Sequence, residues 1–265
     1  MTTSSDFVFA RASRANQAIR ATGELLITLG VIVFLFILYE LWFTGLYTEH
    51  AQSQLNKQLA TEWALPPGPP APGTTAAPAS SASPSATASG SPGPTSVPTG
   101  SAPAVAPIAL PGDAIGIIRI PRLGAKYGYA IVEGVSTDDL KKGPGHYPGT
   151  ANPGGIGNFV VSGHRTTYLA PFNGLGELVV GDAIVIETRD TWYTYLVTKT
   201  QTVLPTDTSV VLPVPGQPRG RPTQALITLT TCTPKYSASH RLIVTGLLQS
   251  ALPKSAGSPP ALVGS

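Results

Sequence analysis

Apolar residues follow two different patterns along the 265-residue chain. Near the N-terminus they form one run, from Leu25 to Tyr39, that contains no charged residue. In residues 108–250 they recur instead in short segments of β-branched and aromatic residues, separated by glycine and proline. The first pattern predicts one long apolar helix, and the second predicts a series of strands joined by turns.

The apolar run predicts a membrane-spanning helix over residues 24–43. About twenty mostly apolar residues cross a bilayer, and this stretch meets that length if Glu40 lies near the far interface. Three arginines precede the run: Arg11, Arg14 and Arg20. Because positive charge stays on the cytoplasmic side, we expect residues 1–23 inside the cell and everything after the helix outside it. A cleaved signal peptide is the alternative, although no small-residue cleavage site follows the run directly.

Residues 66–107 have the composition of a disordered linker. They contain twelve prolines, no charged residue and few large apolar side chains, so they cannot form a core. As a flexible coil they would span on the order of 36 Å, and as extended polyproline about 130 Å. We therefore expect a stalk that lifts the folded domain off the membrane, preceded by a juxtamembrane segment at 44–65. The tail 251–265 is also expected to be disordered.

Residues 108–250 remain as one folded domain, and their pattern is that of an all-β protein. Seven strand-like segments lie between turn residues, at 114–120, 127–134, 157–164, 182–188, 191–203, 224–232 and 241–249. Residues 135–142 predict a short helix with Ser136 or Thr137 as its N-cap. A second helical turn is expected in 170–178. Many short strands at this spacing favour a barrel or a sandwich.

Composition and charge narrow the class of function. Only 12% of the residues are charged, and the net charge of +3 is spread along the chain without a basic cluster. Nucleic acid is therefore not an expected partner. Asp138 and Asp139 are adjacent carboxylates without the spacing of metal ligands, and they fit the first turn of the short helix. No metal or other cofactor is predicted.

The single cysteine, Cys232, ends an apolar segment and has no second cysteine to pair with. Cysteines in exported proteins usually form disulfides, so this thiol is either a buried structural group or a reactive one. A reactive thiol needs a neighbouring group that exchanges protons near neutral pH. It also needs donors for the oxyanion of a tetrahedral intermediate.

Four histidines are candidates for the proton-exchanging group. His164 is favoured because it ends a strongly apolar strand, where a groove can open. His146 lies in a glycine- and proline-rich loop and could line a groove or face solvent. His50 follows the apolar helix and is expected at the surface. His240 stands at the start of the last strand, next to an arginine.

Arg241 is the candidate oxyanion donor. Residues 233–240 join the end of one predicted strand to the start of the next, so Cys232 and Arg241 would lie close together in an antiparallel pair. Neighbours on a strand face opposite sides of a sheet, so His240 and Arg241 cannot both face the thiol. A guanidinium keeps its charge at any working pH and offers fixed donors. A surface charge at a strand end is the alternative reading.

These residues resemble the signature of the sortase family. The segment "TLTTC" (228–232) fits the Thr-Leu-x-Thr-Cys motif of sortases, and the arginine nine residues later, in "HRLIV", matches their catalytic arginine. The segment "SGHR" (162–165) is similar to the family's histidine strand. The order His, Cys, Arg also matches, and the resemblance covers about residues 110–250.

The subclass that this sequence resembles is class E, the housekeeping-like sortases of high-GC Gram-positive bacteria, the actinobacteria. The similarity lies in 143–168, in "CTPKYSASHRLIV" and in the N-terminal anchor. It implies a sorting signal with alanine at the second position, Leu-Ala-x-Thr-Gly. A tyrosine before the histidine strand is implicated in that preference, and Tyr147 matches it. Its hydroxyl could accept a hydrogen bond from the backbone N–H that alanine has and proline lacks.

The resemblance implies an eight-stranded sortase β-barrel with short helices and a cysteine transpeptidase activity. Cys232 would attack the Thr–Gly carbonyl of a secreted protein's sorting signal and form a thioester. Arg241 would stabilise the oxyanion, and His164 would act as general acid and base. Tyr147 and Thr231 are assigned to substrate binding. An amine of a lipid II-type peptidoglycan precursor would then release the protein onto the cell wall.

Two alternatives remain at this stage. A pilin-polymerising sortase would use a lysine of another protein as the acceptor, but such enzymes usually carry a lid over the site, and none is visible in the sequence. A non-catalytic wall-binding or scaffold module would hold Cys232 as a core thiol. Native-state reaction with a small thiol reagent distinguishes this last class from an enzyme.

Overall fold

The computed structural model describes residues 6–64 and 112–263. The predicted linker 66–107 lies outside the described residues. The described part contains a long N-terminal helix and a closed β-barrel against which the end of that helix packs.

Eight strands form the barrel, and seven of them correspond to the predicted segments. Their bounds are β1 Ala114–Arg119, β2 Tyr129–Glu133, β3 Gly145–His146, β4 Gly157–Ser162, β5 Ala183–Glu187, β6 Thr191–Val203, β7 Ala225–Thr233 and β8 His240–Pro253. The strand that the sequence did not predict is β3. It has two residues in a glycine- and proline-rich stretch, too short to show a period-two pattern.

The barrel closes in the order β1-β2-β3-β4-β7-β8-β6-β5. The pairs β2–β3 and β4–β7 are parallel, and the other six are antiparallel. Closure removes the free sheet edges that an open sheet would expose. The all-β barrel expectation is therefore confirmed.

The core fills the barrel interior with alternate residues of each strand. Phe159 and Val161 of β4, Ile227 and Leu229 of β7, and Val244 of β8 are each fully buried in it. Because side chains alternate along a strand, the residues between these positions face the outside of the barrel. On β7 the outward set includes Thr228, Thr230 and Cys232.

The two ends of the barrel need separate names. At one end β7 finishes just past Cys232 and β8 starts at His240; we call this the Cys232 end. At the other end β8 finishes at Pro253, which pairs with the start of β6; we call this the Pro253 end.

A single helix, α1, runs without a break from Asp6 to Ala64. Its segment Asn16–Ile37 has a mean hydropathy of 1.9 and no buried residue, so it is long and apolar enough to cross a membrane. The sequence placed the span slightly later, at 24–43. The last four turns of α1 carry the residues that contact the barrel.

The end of α1 packs on the outer face of β1 and β2. Leu55 and Leu59 are buried there against Ala114 and Val132. Strand β2 pairs with β1 along one edge. Along its other edge the two-residue β3 pairs only with Val132 and Glu133, so Ala130 has no strand partner there. The side chain of Gln52 accepts a hydrogen bond from the Ala130 N–H at 2.8 Å and donates one to its carbonyl at 3.1 Å. It thus completes the backbone hydrogen bonds that a longer neighbouring strand would have made.

This docking bears on the expected role of residues 66–107. Gln58 donates a hydrogen bond to Asp113 at 3.4 Å, so the helix and the first strand are in contact on both sides of the intervening segment. The barrel is therefore joined to α1 by direct packing, and the role of residues 66–107 as a stalk stays a prediction.

The short helix α2, Thr137–Lys142, follows β2. Ser136 is its N-cap: the Ser136 hydroxyl accepts from the Asp139 N–H, and the Asp139 carboxylate accepts from the Ser136 N–H. This capping box confirms one of the two predicted caps and gives Asp139 a structural role. A 3-10 turn at Leu175–Glu177 matches the second predicted turn.

The prediction of a disordered tail from residue 251 is wrong for the described residues. Strand β8 continues to Pro253 because it pairs with the start of β6, which the sequence pattern of β8 alone could not show. A 3-10 turn at Lys254–Ala256 and a short helix, α3 at Pro260–Val263, follow.

Candidate active site

Cys232 and Arg241 lie directly opposite each other on β7 and β8. Opposed residues in an antiparallel pair have Cα atoms about 5 Å apart and side chains on the same face of the sheet. Both side chains face the outside of the barrel and are half-buried. The thiol is therefore not part of the core, and Arg241 is the immediate cross-strand neighbour of Cys232.

His164 reaches the same place from the other side of β7. Strands β4 and β7 are parallel and in register as far as Ser162 and Thr230, and the Gly163 N–H donates to the Thr230 carbonyl at 3.1 Å. Two residues past the last pair, His164 thus lies beside Cys232. The three residues proposed from the sequence converge at the Cys232 end, Cys232 on β7, Arg241 on β8 and His164 just past the end of β4.

Gly163 permits this approach. A Cβ added there would lie 2.7 Å from the ring of Phe172, which is fully buried in the core. The Phe172 N–H also donates to the His164 carbonyl at 3.0 Å. The glycine of "SGHR" therefore has a steric reason: it lets the following segment fold back tightly against the histidine.

Thr231 does not fit the substrate-binding role that the sequence assigned to it. Its side chain is only 2% exposed, and its hydroxyl donates to the Gly163 carbonyl at 2.7 Å. It alternates with Cys232 on β7 and therefore faces inward. Thr231 instead ties β7 to β4 at the level of His164.

Arg165 directly follows His164, and the structure gives it a contact with the backbone of Cys232. Its Nη1 donates to the Cys232 carbonyl at 3.2 Å. Its Nε is buried without a hydrogen-bond partner among the described residues. The side-chain amide of Asn173 donates to the Arg165 carbonyl at 2.9 Å and accepts from Lys235 at 2.7 Å. The loop after β4 is thereby tied to the loop between β7 and β8.

The ring of Tyr168 covers His164, with ring centroids 5.0 Å apart. Tyr168, Leu169 and Ala170 all have positive φ, of 52°, 59° and 46°. Each left-handed residue costs roughly 1–2 kcal/mol, so this turn requires support from its surroundings. Tyr127 supplies part of it by donating to the Pro171 carbonyl at 2.7 Å.

The environment of His164 favours the neutral imidazole. Burial lowers the pKa of His164 from its ordinary value, and its Nε2 has no hydrogen-bond partner among the described residues. No carboxylate within that part of the chain is hydrogen-bonded to it. An imidazole nitrogen that is shielded and unengaged is available to a group brought in by a substrate.

Arg241 is held by its own loop in this structure. Its Nη1 donates to the carbonyls of Ala238 and His240, at 3.0 and 3.1 Å. Both bonds use the same nitrogen, so they leave Nε and Nη2 uncommitted. The guanidinium therefore keeps donors for a further acceptor while the loop fixes its position.

A cleft of about 400 Å³ lies on the outer face of the barrel, and Val203 in its lining pairs with Arg241. One wall is the outer face of β6, from Val203, which pairs with Arg241, to Lys199, which pairs with Thr245. The other wall is the connection between β6 and β7, including Val210 and Val214. The cleft thus extends about 13 Å away from the catalytic candidates along the strands.

Tyr147 lies on the same outer face of the barrel but is not adjacent to Cys232, His164 and Arg241. Its N–H donates to the Val160 carbonyl at 3.0 Å, which places it four residues before the level of His164. It is half-buried at the start of the loop between β3 and β4. It could therefore border a bound peptide at some distance from the thiol.

The other histidines are accounted for elsewhere. His146 is 2% exposed, with its Nδ1 2.6 Å from the Glu133 carboxylate and its ring stacked on Phe159. His50 is exposed on α1, and His240 is exposed at the start of β8, paired with Thr233. Only His164 of the four histidines lies beside the thiol.

Comparison with known proteins agrees with this geometry. The Sortase domain model matches residues 118–249. Two curated relatives from Streptomyces coelicolor are sortase SrtE1, 33% identical over 96% of this chain, and sortase SrtE2, 30% identical over 88% of it. The chain spans 64% of the length of the first and 83% of the second. A solved structure of sortase E1 from that species with a tripeptide in the active site is 37% identical, with a TM-score of 0.54, over 59% of this chain and all of its own.

Proposed function

The chain belongs to the sortase family of cysteine transpeptidases and is most like class E, and on that premise we propose a membrane-anchored enzyme that attaches secreted proteins to the cell wall. Its substrate is a C-terminal sorting signal of the Leu-Ala-x-Thr-Gly or Leu-Pro-x-Thr-Gly kind. Its acceptor is an amine of a peptidoglycan precursor. The observation that carries the proposal is the placement of Cys232 opposite Arg241, with His164 beside them.

The first half-reaction transfers the substrate to the thiol. The Cys232 thiolate attacks the threonine carbonyl carbon, and the carbonyl oxygen takes the negative charge. Arg241 donates to this oxyanion. The C–N bond to glycine then breaks as His164 gives its proton to the leaving amine, which yields a thioester on Cys232 and a free glycine N-terminus.

The second half-reaction reverses these roles. The acceptor amine attacks the thioester carbonyl while His164 takes a proton from it. The C–S bond breaks, Cys232 leaves as thiolate, and a new amide joins the threonine to the acceptor. Burial of His164 opposes its charged form, so the protonated imidazole that the first half-reaction needs is disfavoured in the resting enzyme.

The cleft beside β6 supplies a place for the residues before the scissile bond. Four extended residues span about 13 Å, which matches the distance from Arg241 to Thr245 along β8. Val203, Val210 and Val214 give the cleft an apolar lining that suits a leading leucine. Tyr147 lies on the opposite side of this outer face, where it could read the second residue of the signal.

The test is a transpeptidation assay with the full chain in nanodiscs. A quenched Leu-Ala-x-Thr-Gly peptide is incubated with an amine acceptor, and products are identified by mass spectrometry. We expect a thioester on Cys232 and acceptor-linked product with the native chain, and neither with Cys232→Ala. Arg241→Ala should lower kcat/KM by about 10²–10³-fold, whereas the exposed Arg219→Ala should not. Unchanged turnover in Arg241→Ala would overturn the assignment.

The role of Tyr147 is tested with a peptide pair. In Tyr147→Phe, turnover of the alanine peptide should fall by roughly three- to tenfold, the worth of one hydrogen bond. The proline twin lacks the backbone N–H that this hydroxyl would bind, so its turnover should stay constant and serves as the internal control. An equal loss with both peptides would show that Tyr147 does not read the second residue.

A further inference from the structure

The helix α1 fixes the position of the barrel relative to the apolar segment. The helix is unbroken from Asn16–Ile37 to Thr48, where its contacts with the barrel begin. At 1.5 Å per residue, Thr48 lies about 16 Å beyond Ile37. Because the helix is continuous, it fixes both the distance and the orientation of the barrel relative to the apolar segment.

The contacts along α1 run from the Cys232 end of the barrel to the Pro253 end. Thr48, the first of them, donates to the Lys141 carbonyl at 2.8 Å, at the end of α2. At the far end of the helix, the Glu62 carbonyl accepts from Arg189 in the turn between β5 and β6. The ring of Trp63 lies 3.8 Å from the Lys254 Nζ, just past the end of β8.

The strand register shows which end is which. Gln52 contacts Ala130 near the start of β2, and Gln58 contacts Asp113 just before β1. Glu133, at the end of β2, is hydrogen-bonded to Asp113. Strand β2 is parallel to β3, β3 is antiparallel to β4, and β4 runs with β7 toward the Cys232 end, so the start of β2 lies at the Cys232 end. Along α1, higher residue numbers therefore lie further from the Cys232 end.

A second observation brings the active site itself to the same side. Lys141 pairs with Asp138, which raises the pKa of its ammonium group. Gly145, four residues after Lys141, pairs with Ser162, which is two residues before His164. Tyr168 covers His164, and Tyr47 is on α1 just before Thr48. The end of α2 thus lies between the turn of α1 that carries Thr48 and the segment that carries His164.

The surface at the Cys232 end has the character of a membrane-facing surface. The charged side chains at this end include the cations Arg122, Lys126, Lys141, Lys235 and Arg241 and the acids Asp138, Glu177, Asp182 and Asp207. Large exposed side chains on its loops include Tyr236, 90% exposed, Val180, 71% exposed, and Leu204, 58% exposed. A tyrosine and scattered cations suit the headgroup layer of a bilayer, which accommodates both.

We propose that α1 acts as a rigid bracket that holds the Cys232 end of the barrel toward the bilayer, with the loops around the active site against the lipid headgroups. The proposal rests on the membrane anchor of the proposed function. The acyl-enzyme then faces amines carried by lipid-linked molecules in the same membrane, rather than amines further out in the wall. The segment 65–111 connects two points that are already held together and does not set this distance.

The single cysteine makes the geometry measurable. A donor fluorophore is attached to Cys232 of the full chain in vesicles of neutral and anionic phospholipid that carry acceptor dyes on their headgroups. A second protein carries Cys232→Ala and Ser255→Cys, which moves the label to the Pro253 end. The two sites are about 30 Å apart along the barrel axis, given twelve residues of a strand tilted by roughly 40°. We expect clearly more energy transfer from position 232 than from position 255.

The control variant disconnects the bracket without touching its contacts. A flexible Gly-Ser insertion of about ten residues between Gly45 and Leu46 leaves Gln52, Leu55 and Leu59 docked but frees the barrel to rotate. The difference between the two labels should then shrink. Equal transfer in the uninterrupted chain, or more transfer from position 255, would overturn the proposal. If the chain did not float with the vesicles, α1 would not be a membrane anchor.

A functional comparison separates this proposal from the enzyme activity. Transfer of the alanine peptide is measured to an amine in solution and to the same amine displayed on a lipid headgroup. The insertion should leave the first rate unchanged and lower the second by roughly tenfold, since the effective concentration of the displayed amine falls. Absence of both rates in the uninterrupted chain would count against the transpeptidase, and an unchanged lipid rate in the insertion variant would count against the bracket.

Discussion

Thr231 connects the two strands that carry the thiol and the imidazole, and replacing it tests whether that is its role. Thr231→Val removes the hydroxyl that donates to Gly163 while keeping the side-chain shape. We expect the free energy of unfolding to fall by about 1 kcal/mol, the usual worth of one such bond. Because His164 follows Gly163, kcat should fall more than KM rises.

The control for this prediction is Thr231→Ser, which keeps the hydroxyl. Urea denaturation and steady-state kinetics on the full chain measure both quantities. If Thr231 touched substrate, as the sequence indicated, the valine variant would show a raised KM with unchanged stability, and that result would contradict the structural role.

The pKa of His164 should be measurable below its ordinary value of 6.5, because burial disfavours the imidazolium. The titration is followed by NMR in the Cys232→Ala variant, so that ionisation of the thiol does not contribute. Between the two pKa values the unfolded chain binds more protons than the folded one, so stability falls as pH drops from about 6.5 through the folded pKa.

His164→Gln should remove that dependence. When the pH is lowered from 7.5 to 5.5, the free energy of unfolding of the Cys232→Ala chain should fall more than that of the chain that carries both Cys232→Ala and His164→Gln. Urea denaturation measures both. A midpoint at or above 6.5 would show that charge interactions around the site outweigh burial.

At the scale of residues, the sequence identified what local geometry determines. Cys232 and Arg241 end and begin two strands joined by one loop, so their proximity follows from hairpin geometry without knowledge of the rest of the barrel. Arg165 and Tyr168 could not be recognised in this way. Their roles depend on a left-handed turn and on contacts between loops that are distant in sequence, and "GHRTTY" carries no pattern that predicts them.

The interface between α1 and β2 depends on Gln52 at the scale of elements. Gln52→Ala removes the side chain that satisfies the N–H and carbonyl of Ala130, both otherwise without a strand partner at that edge. We expect a loss of about 1–3 kcal/mol in the free energy of unfolding of the full chain, since buried backbone groups are left unpaired.

Gln54→Ala is the matched control, because Gln54 is exposed on the same helix. It should change stability by no more than about 0.5 kcal/mol. Thermal or urea unfolding followed by tryptophan fluorescence reports both, since Trp63 and Trp192 lie near the interface. Equal effects of the two substitutions would mean that the docked helix does not stabilise the barrel.

Elements with a strong pattern were predictable and those defined by their neighbours were not. Strand β6 was expected at its observed bounds because thirteen β-branched, aromatic and polar residues alternate there. Strand β3 exists only because β2 and β4 flank it, and the end of β8 only because β6 pairs with it. The docking of α1 depends on a polar side chain, which a search for apolar periodicity does not register.

Shortening residues 65–111 tests the arrangement of the whole molecule. Gln58 contacts Asp113, and Ala64 is six helical residues further on, about 9 Å, so roughly twelve residues can join Ala64 to Gly112. Such a variant should fold, keep its activity on lipid-displayed amines and gain about 1 kcal/mol of stability from the shorter loop. Peptide transfer and urea unfolding measure these outcomes. A loss of activity on lipid-displayed amines alone would show that residues 65–111 act as a stalk.

The unbroken α1 also changes the kind of search by which the proposed enzyme finds its substrates. An active site held at a constant height above the bilayer samples a thin layer, and its partners reach it by lateral diffusion within the membrane. The rate of encounter then depends on how many anchored substrates and acceptors share each unit of membrane area. Crowding that membrane, rather than changing the volume outside it, would govern how fast proteins reach the wall.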